Sequence, residues 1–220
     1  HVTLCNEFYQ YFKGYGAWTF SDEQIAMMEA RRNDVVENPE RPWVIPDETG
    51  TYSYVYLGNF IGSLLLAMAC AYSGPMNLNN NGVAVYTMTV AAGKCALTFG
   101  NAVVLGILCN VLVCIAVAMS LMSKTTVGRA IGAYLPIAFF VIAGFEHSVA
   151  NMYYISAGLF ATNIPAYVDA AAAAGLDLSG LTWFNFLVHN LLPVTLGNII
   201  GGAVLVASGY YLAYHPKSTK

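Results

Sequence analysis

Four apolar stretches, each about as long as a bilayer is thick, constrain this chain more than anything else in it. They run from Tyr54 to about Tyr72, from about Gly100 to Ser120, from about Ile131 to Phe160 and from about Leu191 to Tyr214. About 20 apolar residues in a helix span the hydrocarbon core, so each stretch reads as a transmembrane helix. The 220 residues are 57% hydrophobic and only 10% charged, a balance that suits lipid and not water. The expected fold class is therefore an all-α membrane protein.

The charges divide the chain. Most of the acids precede Thr51, and beyond it only Glu146, Asp169 and Asp177 remain. Residues 1–52 read as a water-facing segment, with a short helix in SDEQIAMMEARRND that has Ser21 and Gln24 at capping-box spacing, followed by the Pro-rich connector NPERPWVIPDETG. Residues 53–215 form the membrane domain and 216–220 a tail. Four spans leave both ends on one side. Lys13, Arg31, Arg32 and Arg41 precede the first span, Lys124 and Arg129 separate the second from the third, and Lys217 and Lys220 follow the fourth. All these regions fall on one side, which the positive-inside rule makes cytoplasmic. The opposite linkers carry a single basic residue, Lys94. The setting is thus a plasma (inner) membrane, crossed several times, with the C-terminus in the cytoplasm. Five scattered cysteines (Cys5, Cys70, Cys95, Cys109 and Cys114) match neither a disulfide framework nor a metal-ligand spacing, and no basic patch suits a nucleic acid.

The third stretch is unusual in length and content. About thirty residues exceed one straight crossing. The excess centres on Ala143-Gly144-Phe145-Glu146-His147, which follows Pro136. A helix broken at mid-depth fits, and such a break is tolerated only where it lines a cavity or is buried in protein. From Ser148 onward a second half-helix would aim the partial positive charge of its N-terminus at that cavity, which suits an anion. Ionisable groups inside a span mark function by default, and here Glu146 and His147 coincide with the break.

The stretch GFEHSVANMYYI, followed by NLLPVTLGNIIGG from Asn190 to Gly202, resembles the paired signature of the formate/nitrite transporter family, which includes hydrosulfide and lactate channels. The likeness extends through LGNFIGSLLLA, the segment around Lys94, LGILCNVLVCIAVAMS and LPIAFFVIAG, about three-quarters of the chain. It implies an aquaporin-like bundle of six spans in inverted repeat, with a broken pore helix, assembled as a homopentamer with one pore per protomer. Four of the six expected spans are present, so the resemblance implies a fragment, or a chain lacking the first two spans. It also makes His147 the central pore histidine, Asn110 and Asn198 its companion amides, Phe140 a hydrophobic constriction and Lys94 a vestibule lysine. Gly144, Glu146 and Asn151 would support the broken helix. The expected function is a channel for small monovalent weak-acid anions such as formate, nitrite or hydrosulfide.

The chemistry is consistent with that expectation. A bare anion at an apolar constriction loses hydration at a cost of many kcal/mol, whereas the neutral acid loses far less. Passage as the neutral acid, or as anion plus proton, follows. Lys94 would concentrate anions, and His147, neutral at mid-depth, would donate a hydrogen bond or a proton. Glu146 cannot share a helical face with His147, so it is expected to satisfy amides freed by the break or to meet a neighbouring protomer. Plainer readings exist for the rest: Lys94 as a snorkelling lysine, Asn110 and Asn198 as interhelical glue, and Gly58, Gly62 and Ser63 as close-packing positions. His1, His189 and His215 read as solvated. Two other functions fit the pattern less well. One is a neutral-solute or water channel, and the other is a membrane enzyme using Glu146 and His147, for which a metal site would need further convergent ligands. No cofactor and no metal are expected.

Overall fold

The computed structural model describes residues 48–214. Residues 1–47 of the expected soluble segment and the tail 216–220 lie outside the described residues, as do Cys5, His1 and His215. Among the described residues there are seven longer helices, one 3-10 turn at Pro75–Asn77 and no strand. In chain order they are α1 (Glu48–Tyr72), α2 (Gly82–Cys95), α3 (Phe99–Met122), α4 (Thr126–Ile142), α5 (Ser148–Ala161), α6 (Pro165–Ala173) and α7 (183–214). Tyr54–Tyr72, Phe99–Met122 and Asn185–Tyr210 are long and apolar enough to cross a bilayer. α4 is equally apolar but short, with 17 residues, and it continues through a five-residue interruption into α5. The protein is an all-α membrane protein with an aquaporin-like bundle and one broken helix.

Local signals start these helices where the chain leaves a turn. The Thr98 hydroxyl accepts from the Asn101 amide at the start of α3, and Thr125 does the same for Gly128 at the start of α4. Each satisfies an amide that has no partner within its own helix. α1 begins at Glu48, a little before the expected membrane boundary at 53, because a helix need not stop where lipid ends.

Two packing layers hold the bundle. In the first, α2 buries Ala84, Met88, Ala91 and Cys95, a single face at helical spacing, against Met152, Ile155 and Leu159 of α5. Ala67 and Ala71 of α1, Tyr167 of α6 and Phe186 of α7 close the same cluster. The expected amphipathic segment around Lys94 is thus a regular helix with one protein-facing side. In the second layer α3 meets α7 backbone to backbone. A Cβ on Gly106 would stand 2.8 Å from the Val194 carbonyl oxygen and 3.2 Å from the Gly197 Cα, and a Cβ on Gly197 would collide with the Val103 carbonyl. Small residues drive helix association in lipid by letting backbones approach in this way. By contrast, Gly58 and Gly62, expected to be close-packing positions, have no atom among the described residues within 4 Å of a Cβ built there.

α7 changes its winding twice, with π-helical turns over Asn185–Leu191 and Ile200–Val206 around an α-helical Leu192–Ile199. The first wide stretch precedes Pro193, whose ring would otherwise press on the carbonyl four residues earlier. Outside the two layers the surface is apolar: Leu65, Val104, Leu121, Ile131, Leu196 and Leu205 are all exposed. That is the distribution expected of a chain solvated by lipid tails.

Gly197→Val is expected to force α3 and α7 apart at a cost of about 1–3 kcal/mol, the range for overpacking a close contact. The measure is the thermal unfolding midpoint in detergent. A midpoint equal to that of the parent protein would mean that the two helices do not meet at this glycine.

Candidate functional site

The break between α4 and α5 is built on a glycine. Gly144 has φ +71°, the left-handed region that glycine enters at no steric cost. The Phe145 amide donates back to the Phe140 carbonyl (2.9 Å) and the Gly144 amide to Val141 (3.2 Å), the paired bonds of a Schellman termination. α4 thereby ends with its last carbonyls satisfied. The Glu146 amide crosses to the Leu105 carbonyl of α3 (3.4 Å), and the chain re-enters a helix at Ser148.

Asn198 of α7 holds both sides of this gap. Its Oδ1 accepts from the Ser148 amide (2.9 Å), while its Nδ2 donates to the Glu146 carbonyl (3.0 Å) and the Gly106 carbonyl of α3 (2.9 Å). The Asn198 side chain is therefore a staple between α3, the break and α7. Of the two expectations for it, a pore-facing amide or interhelical glue, these bonds match the second, with its capacity spent on backbone. Asn110 donates to the Asn198 carbonyl, beside Gly202, so it too acts within the α3–α7 seam.

His147 is the N-cap of α5, in extended conformation, with its Nδ1 accepting from the Ala150 amide (3.4 Å). In the neutral imidazole that bond leaves the proton on Nε2, the nitrogen turned away from the helix. The ring stacks on Phe140, with centroids 5.9 Å apart and an interplanar angle of 28°. The side chain is half-buried, and the neighbouring Ile142, Ala143 and Gly144 are exposed. His147 and Phe140 are thus brought together at an open side of the break.

Glu146 points the other way. Its Oε1 receives a 2.7 Å ion pair from Lys94 Nζ at the end of α2, and its Oε2 accepts from Asn151 Nδ2 (2.6 Å) and Asn190 Nδ2 (3.2 Å). Asn190 also donates to the Lys94 carbonyl (2.9 Å) and accepts from Asn151 (2.8 Å). The carboxylate is 4% exposed and the lysine side chain 16%. Glu146 is expected to satisfy amides freed by the break or to meet a neighbouring protomer; the Ser148 and Ala150 amides go to Asn198 and His147, and the carboxylate anchors α2. Lys94, expected as a vestibule lysine or a snorkelling one, is paired with that carboxylate, with the Tyr154 ring 5.8 Å from its nitrogen.

Asn190, Ser148, Thr195 and Tyr56 also belong to this region and were not singled out from the sequence. For Asn190 a signal existed: a second asparagine at the start of the apolar fourth stretch, two helical turns before Asn198. His189 is exposed, its ring 5.8 Å from that of Phe184. Among the described residues no three His, Cys, Asp or Glu side chains converge, so they offer no donor set for a tetrahedral metal.

A profile of the formate/nitrite transporter family matches residues 45–212. The formate channel FocA of Escherichia coli is 41% identical over 162 residues, covering 73% of this chain and 57% of that protein. The FocA of Haemophilus influenzae is 39% identical over 166 residues, covering 74% of this chain and 58% of its own length. The chain thus spans a little over half the length of these curated relatives. A solved pentameric formate channel with formate bound superposes with a TM-score of 0.71 at 32% identity, covering 79% of this chain and 69% of that one.

Lys94→Met leaves the Glu146 carboxylate buried without its cation and is expected to cost about 2–4 kcal/mol. Combining it with Glu146→Gln should recover most of that loss, because no charge is then stranded. Unfolding midpoints of the two single variants and the double variant in detergent check this. Lys94→Met as stable as the parent would mean that the carboxylate is solvated.

Proposed function

The chain belongs to the formate/nitrite transporter family, and from that premise we propose that it forms a channel for small monovalent weak-acid anions of the formate class. The observation that carries this reading is the pairing of His147 with Phe140 at the helix break. A hydrogen-bond donor, Nε2–H, stands beside an aromatic wall at the N-terminus of a half-helix. An anion reaching that point meets a donor and the positive end of the α5 dipole, while the wall removes its water. Desolvating the full charge there costs many kcal/mol, so the ion moves on as the neutral acid, or with a proton carried alongside. His147 would donate the hydrogen bond or the proton.

The ion pair changes the part given to Lys94. A lysine matched by Glu146 adds little net positive potential, so its contribution to drawing anions inward is small, and the dipole of α5 carries more of it. Phe140 acts as the constriction on one side of His147, and Asn110 and Asn198 keep the break in shape. Gly144 and Asn151 do the same, through the Schellman turn and the Glu146 cluster.

The assembly would be a homopentamer in a bilayer, the arrangement named for the solved formate channel, with the apolar faces of α1, α3 and α7 turned to lipid and to neighbouring copies. The membrane would be the plasma (inner) membrane. Residues 1–52 and the C-terminal tail 216–220 would face the cytoplasm and residues 53–215 would form the channel, the orientation that supports this being the one with Lys124 and Arg129 inside.

Uptake of labelled formate into liposomes carrying the protein should rise as the external pH falls across about pH 8 to 5, because protons accompany the ion. His147→Ala should abolish the saturable component. Uptake with no pH dependence would favour a neutral-solute or water channel, and an unaltered rate in the variant would remove His147 from the pathway.

A further inference from the structure

The ammonium of Lys94 has three N–H bonds to place, and the described residues offer it one hydrogen-bond acceptor, Glu146 Oε1 at 2.7 Å. The side chain is nevertheless only 16% exposed. Its nitrogen also lies over the ring of Tyr154, 5.8 Å from the centroid. An aromatic face within about 6 Å attracts a cation, because the ring quadrupole is negative there. The spacing along α5 sets this contact. Asn151 and Tyr154 are one turn apart on one face, so the asparagine reaches the Glu146 carboxylate while the ring reaches the lysine that the carboxylate holds. Tyr153 supports the ring in turn, edge to face, with centroids 5.8 Å apart.

The two contacts of Lys94 differ in how they yield to a passing anion. The carboxylate is 4% exposed and fastened by Asn151 and Asn190, so it stays in place. Tyr154 is 40% exposed, and a cation–π contact at such a site is far weaker than a partly buried ion pair. An anion that is to touch the ammonium has to displace the ring. We propose that Tyr154 is a positioning residue for Lys94: its ring covers a side of the ammonium that Glu146 leaves free, and so weakens the hold of the lysine on small anions on their way to the break. A conducting pathway needs that weakness, since an ion held too well at entry does not leave. The transport consequence rests on the channel reading above; the covering of Lys94 does not.

Tyr154→Met replaces the ring with an unbranched apolar chain that has no quadrupole. The test uses the whole chain. In liposomes it follows formate uptake against concentration, and in detergent the reductive methylation of Lys94 by formaldehyde and cyanoborohydride, read by peptide mass spectrometry. In Tyr154→Met the half-saturating formate concentration is expected to fall by about twofold to fivefold, the range of an exposed cation–π contact, without a matching change in the maximal rate. Methylation of Lys94 should quicken by a similar factor, while that of the exposed Lys124 does not. Tyr154→Phe keeps the ring and should restore the parental values of both. If Tyr154→Met does not fold, Tyr154→Leu carries the same readouts. Lys94 methylated at the parental rate in Tyr154→Met or its stand-in, or a shift of equal size in Tyr154→Phe, overturns the proposal. So does an unchanged half-saturating concentration in a protein that transports. A parent protein that takes up no formate counts against the channel reading, and the methylation comparison still decides this one.

Discussion

A backbone interrupted inside hydrocarbon has to find partners for the amides and carbonyls that the helix no longer pairs, since each one left bare costs several kcal/mol. Everything around His147 follows from how this chain meets that demand. Gly144 closes α4 on itself, and Asn198 accepts from the first amide of α5 while donating to the Glu146 carbonyl inside the break. One primary amide has two donor hydrogens and an acceptor oxygen, and all are used, the remaining hydrogen going to Gly106 of α3. The staple works only because α7 lies against α3 closely enough for a short side chain to reach. Gly106 and Gly197 facing each other provide that approach. The glycine seam is thus part of the site.

The charged cluster answers a different need. Glu146 is next to the staple in sequence but opposite it in space, and a lone carboxylate there would be expensive to desolvate. Lys94 matches its charge, while Asn151 and Asn190 donate to its second oxygen, so the cluster presents little net field. Its effect is mechanical: it ties the C-terminal end of α2 to the first turn of α5 and to α7. Nδ2 of Asn151 serves both Glu146 and Asn190, and its Oδ1 has no partner. Turning the amide over would set that oxygen against two acceptors, so the orphan is the lesser cost of satisfying the carboxylate.

Much of this was legible in the sequence, for reasons that differ by residue. The spans followed from apolar length, and the break followed from a stretch too long for one crossing with a glycine and two ionisable residues at its centre. Both signals are local. Apart from Asn151, the partners of the Glu146 and Asn198 side chains were not legible, because they lie 44 to 92 residues away and depend on how the helices pack. Lys94 illustrates the limit: hydropathy places it on an amphipathic segment, but nothing in its neighbourhood announces a carboxylate. The π-helical turns of α7 were also out of reach, since Pro193 predicts a disturbance without saying whether a kink or a widened turn absorbs it.

The stretch Leu-Gly-Asn-x-Ile-Gly occurs twice, at residues 57–62 on α1 and 196–201 on α7, and shows why a motif is not yet a site. In the copy on α7 its glycines lie on α3 and its asparagine bridges the break. In the copy on α1 Asn59 is exposed, and the glycines have open space around them among the described residues. The same residues at the same spacing do different things because one copy has a facing backbone to approach and the other does not. What the two copies do share is the position before the motif, where Tyr56 and Thr195 meet. Their bond joins α1 to α7 one turn before Asn198. A repeat that differs in its surroundings can still bring its equivalent first residues to one place, and here that place is the contact of α1 with α7, one turn from the asparagine that staples the break.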